Sequence, residues 1–388
     1  MRALLIALLA LSTLKAQLAI QGEKVYTMAG AAIENGVVLI RNGKIERVGP
    51  AAQVQIPTGY RTLSAKVVTP GLIDAHTVVG LSGYLNQPQD QDQLEKSTAM
   101  QPELRAVDAY DPREKLIEWV RSFGVTTIHT GHGPGALISG QTMIIKTNAP
   151  TADAAMVPAA MVAVSLGDLG KAETGKSPGT RPKEIALLRS EFIKAKEYTP
   201  KTRDLHLETL ARVLKGELRL LITVHRANDI VTALRLAKEF NLKIVLDGAA
   251  ESQLVLEQIK AAGFPVIIHP TMMRANAETE NATFEDAAKL QAAGIPWALQ
   301  SGFEEYVPKT RVVLWEAGVA AANGLTFDQA LAGITIDAAK LLGIANRVGS
   351  LETGKDADVA LYDGDPFEYT SHCTGVVIDG AVISANSR

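Results

Sequence analysis

Residues 228–270 read NDIVTALRLAKEFNLKIVLDGAAESQLVLEQIKAAGFPVIIHP. Apolar side chains recur at helical spacing from Ile230 to Phe240, Asn241 closes the run, and a short apolar stretch from Leu242 to Leu246 stops at Asp247. The pattern then repeats. A second helical run closes at Gly263, and Phe264 to Ile268 leads into His269. Helix followed by short buried strand, twice in succession, predicts parallel strands with their helices packed outside.

The same alternation extends in both directions. DPREKLIEWVRSFG precedes VTTIHTGHG, and FEDAAKLQAAG precedes IPWALQSG. Strands are expected at 67–75, 124–130, 160–166, 218–225, 242–247, 264–269 and 295–300, with one more concealed between 166 and 218. The fold class this gives is α/β, a (β/α)8 TIM-like barrel over residues 67–345. A doubly wound open sheet is the rival, but no Gly-rich phosphate loop follows any strand. GKAETGKSPGTRPKEI, residues 170–185, reads as a loop on the side where barrel sites are built. The two ends differ from the middle, being rich in β-branched residues with Asn42-Gly43 and Asp-Gly turns. Residues 22–66 and 350–386 are expected to pair into one composite β-sandwich.

The 388 residues are 47% hydrophobic, with 39 Lys and Arg against 42 Asp and Glu. A net charge of −3 without a long basic run argues against nucleic acid or an anionic membrane as partner, and leaves a small molecule. Cys373 is the one cysteine, so no intrachain disulfide and no cysteine zinc cluster can form. MRALLIALLALSTLKAQ at the start has Arg2, an apolar run and Ala16, which reads as a signal peptide over residues 1–16. Export to the periplasm or beyond the cell is the expectation. No later stretch is apolar for long enough to span a membrane. A homo-oligomer is compatible with all of this.

In a parallel barrel the site lies at the C-terminal ends of the strands. Of seven histidines, five fall at or just after an expected strand end: His76, His129, His132, His225 and His269. Such a collection predicts one shared cleft, and imidazole serves both metal binding and proton transfer. Taken singly, each is as readily a hydrogen-bonded core histidine. Asp247 also ends a strand, although it could equally cap the next helix. Glu304 and Glu305 follow Ser301 at the last strand end, where a solvated loop is the plainer reading.

VVTPGLIDAHTVVG (67–80) and ITIDAAKLLGIANRVGSLETGKDADVALYDGDPFE (334–368) resemble the amidohydrolase superfamily. GVTTIHTGHGPGALISGQTMIIK, TVHRANDIVTALRLAKEF and GFPVIIHP are similar to its imidazolonepropionase-like branch. The resemblance spans roughly residues 22–386. It implies a barrel on a composite β-sandwich, and hydrolysis of C–N bonds in non-peptide amides, cyclic amides or amidines by metal-activated water. It implies a ligand set of His-x-His after strand one, a carboxylated Lys after strand four, a His after each of strands five and six, and an Asp after strand eight that also shuttles the proton. His76 and His225 match that pattern. Val78, Asp247 and the Ser301 region depart from it, and no Lys ends a credible fourth strand.

One reading is therefore a hydrolase holding a single divalent metal, zinc foremost, through His76, His225, His129 and His132, with His225, His269 and Asp247 as catalytic groups. A second is a metal-free pseudoenzyme binding a small ligand in the barrel mouth. A third, a metal-free hydrolase with a histidine base, lacks any Gly-x-Ser-x-Gly elbow in support.

Overall fold

A computed structural model describes residues 17–85, 87–269, 275–302 and 312–384. The expected signal peptide, Glu304 and Glu305 lie outside the described residues. The chain opens with β1 (Leu18–Val25), β2 (Ile33–Arg41), β3 (Lys44–Pro50) and β4 (Arg61–Pro70). The middle supplies β5 (Leu72–Thr77), β6 (Val125–Thr130), β7 (Ile138–Gln141), β8 (Met143–Lys146), β9 (Met161–Ser165), β10 (Arg219–Val224), β11 (Ile244–Gly248), β12 (Val266–Ile268) and β13 (Trp297–Leu299). It ends with β14 (Val359–Tyr362), β15 (Cys373–Ile378) and β16 (Ala381–Ser384).

Both chain ends enter one seven-stranded sheet, ordered β16-β15-β14-β4-β1-β2-β3. The β2–β3 hairpin turns on Asn42 and Gly43, with φ of 55° and 79°, the primed geometry that an Asn-Gly pair favours. Its buried face joins Leu18, Ile20, Val38, Ile40, Val359 and Val377.

In the middle, β9 to β13 form a parallel ladder with β7 added antiparallel, and β5, β6 and β8 form a second sheet. A parallel bridge between Thr77 and Gly302 joins the outer strands of the two sheets. The architecture is α/β and TIM-barrel-like beside a β-rich unit. The helices are α1 (Lys115–Arg121), α2 (Arg181–Lys196), α3 (Leu205–Leu214), α4 (Ala227–Phe240), α5 (Leu256–Ala262), α6 (Asp286–Ala293), α7 (Val313–Ala322), α8 (Phe327–Gly333) and α9 (Ile336–Leu342). Helix α4 buries Ile230, Ala233, Leu234 and Ala237 and closes at Asn241 in the left-handed conformation, as its sequence predicts.

Two expectations need correction. No strand among the described residues lies between 166 and 218, where α2 and α3 stand instead. The strands that were not foreseen are β7 and β8, which run antiparallel to β9 and β6. Each is only four residues long, too short to show a period.

One inner layer fixes the direction of every strand end. Ile73, Ala75, Ile144, Met161, Leu221, Val245, Ile267 and Ala298 meet in a single apolar cluster, closed from below by Ala338, Ala339, Leu341 and Leu342 around α9. All are fully buried or nearly so, and each large aliphatic member contributes about 1.5–3 kcal/mol. Side chains alternate along a strand, so the residue two beyond this layer points the same way.

Candidate active site

Counting two residues past the layer gives Thr223 from Leu221, Asp247 from Val245, His269 from Ile267 and Gln300 from Ala298. These four, with His76, Thr77, Val78, Pro134, His225, Gly248 and Gly302, line a cavity of about 50 Å³. That is room for a few water molecules or the head of a small ligand.

Asp247 organises this cavity. One carboxylate oxygen accepts from His76 Nδ1 at 3.1 Å and from Gln300 Nε2 at 2.8 Å, and the other accepts from Thr223 Oγ1 at 2.6 Å. With His76 held through Nδ1, its Nε2 is left buried and without a partner, as is Nδ1 of His225. Burial works against a charged His76, but the Asp247 charge outweighs it and raises the imidazole above its ordinary range. Burial also works against the Asp247 carboxylate, and His76 reverses that, holding it below the usual carboxylate range. His225 goes the other way. Burial, with His269 beside it, pushes it down to about 4, so it is a neutral imidazole at pH 7.

A support lies beneath. Asp74 accepts from the Ser301 backbone N–H at 3.0 Å and from the Ser301 hydroxyl, and burial pushes its carboxyl up to about 7. This corrects the reading of the last strand end. Ser301 turns away to Asp74, and Gly302 and Gln300 face the cavity.

His129 stands beside His76, with ring centroids 5.7 Å apart, but neither it nor His132 lines the cavity. His129 bonds Ala75 O and Thr142 Oγ1, both at 2.6 Å, so its two nitrogens are spent inside the barrel. Burial and the nearby His76 charge push it down to about 3. His132 packs against Gly140, outside the cavity lining. Strand alternation explains His129, whose inward position lies level with the packed interior and below the mouth. His269 does line the cavity, but its Nε2 lies 3.8 Å from Asp286. Sequence reasoning missed Gln300, and matched His225 rather than Thr223, two residues earlier, to the fifth-strand position. Period-two counting from Ala298 and Leu221 is the signal that finds them.

The amidohydrolase family profile matches residues 291–384. An amidohydrolase, tasK, of Hapsidospora irregularis is 26% identical over 89% of this chain, which spans 39% of that protein's length. An imidazolonepropionase of Rhizorhabdus wittichii is 25% identical over 87% of this chain and 91% of its own. The crystal structure of an amidohydrolase from Thermotoga maritima superposes with a TM-score of 0.89 at 26% identity, covering 95% of this chain and 100% of that one. An adenosine deaminase from Xanthomonas campestris with bound zinc shares the fold, at a TM-score of 0.59 and 15% identity. Together these make the chain similar to proteins of the amidohydrolase superfamily, imidazolonepropionases among them.

That family generally binds a divalent metal. A catalytic zinc takes three protein ligands and leaves a fourth position for water. Among the described residues, no group of three or more His, Cys, Asp or Glu is arranged to hold an ion. His76 and His225 each offer a nitrogen, Asp247 is already engaged by three donors, and Val78 and Gly302 offer nothing. The described residues do not fit a catalytic zinc.

Proposed function

We propose that this chain hydrolyses a C–N bond in a small non-peptide amide, cyclic amide or amidine, bound at the mouth between His76 and His225. The relatives support the bond type. The site chemistry rests on one observation: two buried imidazole nitrogens without partners border one cavity, and a carboxylate holds one ring from behind. In this arrangement the Asp247 charge favours the protonated His76 ring, whose Nδ1–H donates to the carboxylate while its Nε2–H gives a proton to the leaving nitrogen. His225 accepts a hydrogen bond from the attacking water, and Gln300 and Thr223 keep Asp247 in place. At most one divalent ion takes part, and the described residues carry the proton steps without it.

A panel of cyclic amides, ureido compounds and amidines, incubated with and without added zinc and followed by product release, tests this. Hydrolysis lost in His76→Gln supports it. The second reading, a ligand-binding protein without turnover, is favoured by Val78 and Gly302, which supply no donor at the mouth. It prevails if no compound is cleaved while some raise the melting temperature.

The same reading extends to the whole chain. The Thr77–Gly302 bridge and the shared inner layer support a closed (β/α)8-type barrel over 67–345. The seven-stranded sheet supports a composite β-sandwich domain of 22–66 and 350–386. A mature N-terminus near Gln17, found by N-terminal sequencing from the native host, would support export.

A further inference from the structure

The rim of the mouth carries a cluster that this chemistry does not use. Arg181, the first residue of α2, donates through Nε to both oxygens of Asp229, at 3.0 and 2.8 Å, and through its guanidinium to Glu278. Asp229 lies in the first turn of α4, directly after His225. Glu278 lies in the short turn Ala277–Thr279, on the connection that follows His269. The second Glu278 oxygen accepts the backbone N–H of Asp168 at 2.9 Å, and Glu184, one turn along α2, accepts that of Gly167 at 3.0 Å.

The fit is close. A Cβ on Gly167, where φ is +74°, would lie 2.6 Å from the Glu278 carboxylate. Asp229 and Glu278 are 4% and 8% exposed, so neither charge is freely hydrated. Lys171 bonds Asp168 and also bears on Glu184, and Arg226 bears on Asp168. One guanidinium thus ties the segments that leave β9, β10 and β12. Two of those segments follow the strand-end histidines that line the cavity.

We propose that Arg181 is a positioning residue for the mouth. It holds Asp168, Asp229 and Glu278 in one arrangement and so sets where the His225 and His269 rings stand. A lysine would not replace it, because a single ammonium lacks the separate Nε and Nη2 donors that here meet Asp229 and Glu278 at once.

The test uses the full chain without ligand, so it stands or falls separately from the hydrolase reading. Arg181→Ala and Arg181→Lys are compared by histidine ring NMR and by amide hydrogen exchange. In Arg181→Ala the His225 and His269 ring signals should move, and exchange at Gly167 and Asp168 should speed about tenfold or more. Strands β1 to β3 should keep their protection. Added guanidinium should return the ring signals toward wild type, and Arg181→Lys should return them only in part. If Arg181→Ala fails to fold, Glu278→Gln removes one arm at nearly constant shape and is read in the same way. Ring signals that stay in place, or exchange that rises equally in β1 to β3, would overturn the proposal.

Discussion

Two buried charge clusters sit at different places in this molecule and are finished to different degrees. Lys146, at the end of β8, meets Asp356 at 2.8 Å, Asp358 at 3.1 Å and Asp379 at 2.5 Å. Lys44 and Arg347 reach the same Asp356, so three cations face three carboxylates. The cluster pins the middle of the chain to the strands at its C-terminal end, and its charges balance. At the mouth, one carboxylate is saturated, but His76 Nε2 and His225 Nδ1 beside it have no hydrogen-bond partner. The structural cluster meets its charges with ion pairs, although Asp358 Oδ2 makes no hydrogen bond, whereas a site for a ligand leaves bonds to be completed by something else.

The largest effect that checks this contrast is on stability. Lys146→Met leaves three aspartates without their buried cation and should cost about 3–5 kcal/mol, read by urea unfolding. Ligand affinity at the mouth should not change in the fraction that remains folded. Next comes Asp247→Asn. It keeps the shape but weakens the hold on His76, and should lower hydrolysis or ligand affinity about 100-fold. Its stability loss should stay near 1–2 kcal/mol. Were the stability costs of the two variants reversed, the contrast between the clusters would fail.

Much of the fold and part of the mouth were legible in the sequence, the Lys146 cluster was not, and the illegible parts have physical causes. Units of ten or more residues with clear periodicity, such as α4 with β11, were readable, as was the Asn42-Gly43 hairpin. So was the gathering of His76, His225 and His269, because all parallel strands of a barrel end on one rim. Strands β7 and β8 escaped because four residues that include Gly140 carry no period. His129 was misplaced because a strand end specifies a side and not a depth. Ser301 was taken for Gln300 and Gly302 because a slip of one residue changes the face. The Arg181 cluster joins positions 168, 181, 229 and 278, and no local pattern links those.

A smaller effect separates the clusters by pH. Burial pushes Asp286, beside His269, up to about 7, with the Ser252 hydroxyl pulling the other way. The folded chain then keeps a proton that the unfolded chain releases near pH 3.9. This contribution is complete below about pH 4 and is lost as pH rises toward 7. Asp356 has the opposite sign. Burial would raise it, but Lys146 and Lys44 hold it down at about 2. Its contribution is present above about pH 4 and is lost as pH falls toward 2. In urea titrations across that range, Asp286→Asn should remove part of the stability loss between about pH 4 and 7, and Asp356→Asn part of the loss in acid. Slopes of the same sign for both variants would show that these environments are wrongly assigned.

The smallest effect expected is on activity in Val78→His. The side chain at 78 lines the cavity beside His76, so the substitution adds a third imidazole to those of His76 and His225. Three nitrogens meet the minimum for a zinc site, and elemental analysis should find more bound zinc than in wild type. Hydrolysis should nevertheless not rise above the wild-type level, because zinc held by His76 and His225 takes the nitrogens that otherwise move the protons. A metal-activated water still needs a group to move its proton, and the cavity-facing position at the last strand end is Gly302, which has no side chain. Nor is the deficit repaired simply, because Gly302 has φ of +67°, where an L-residue costs about 1–2 kcal/mol. Aspartate tolerates that region better than most, so Val78→His with Gly302→Asp is the pair to compare with the single change. A large gain from Val78→His alone would mean that the chain already holds its proton shuttle. His76 backed by Asp247 would then be the first group to test, by repeating the measurement with Asp247→Asn added.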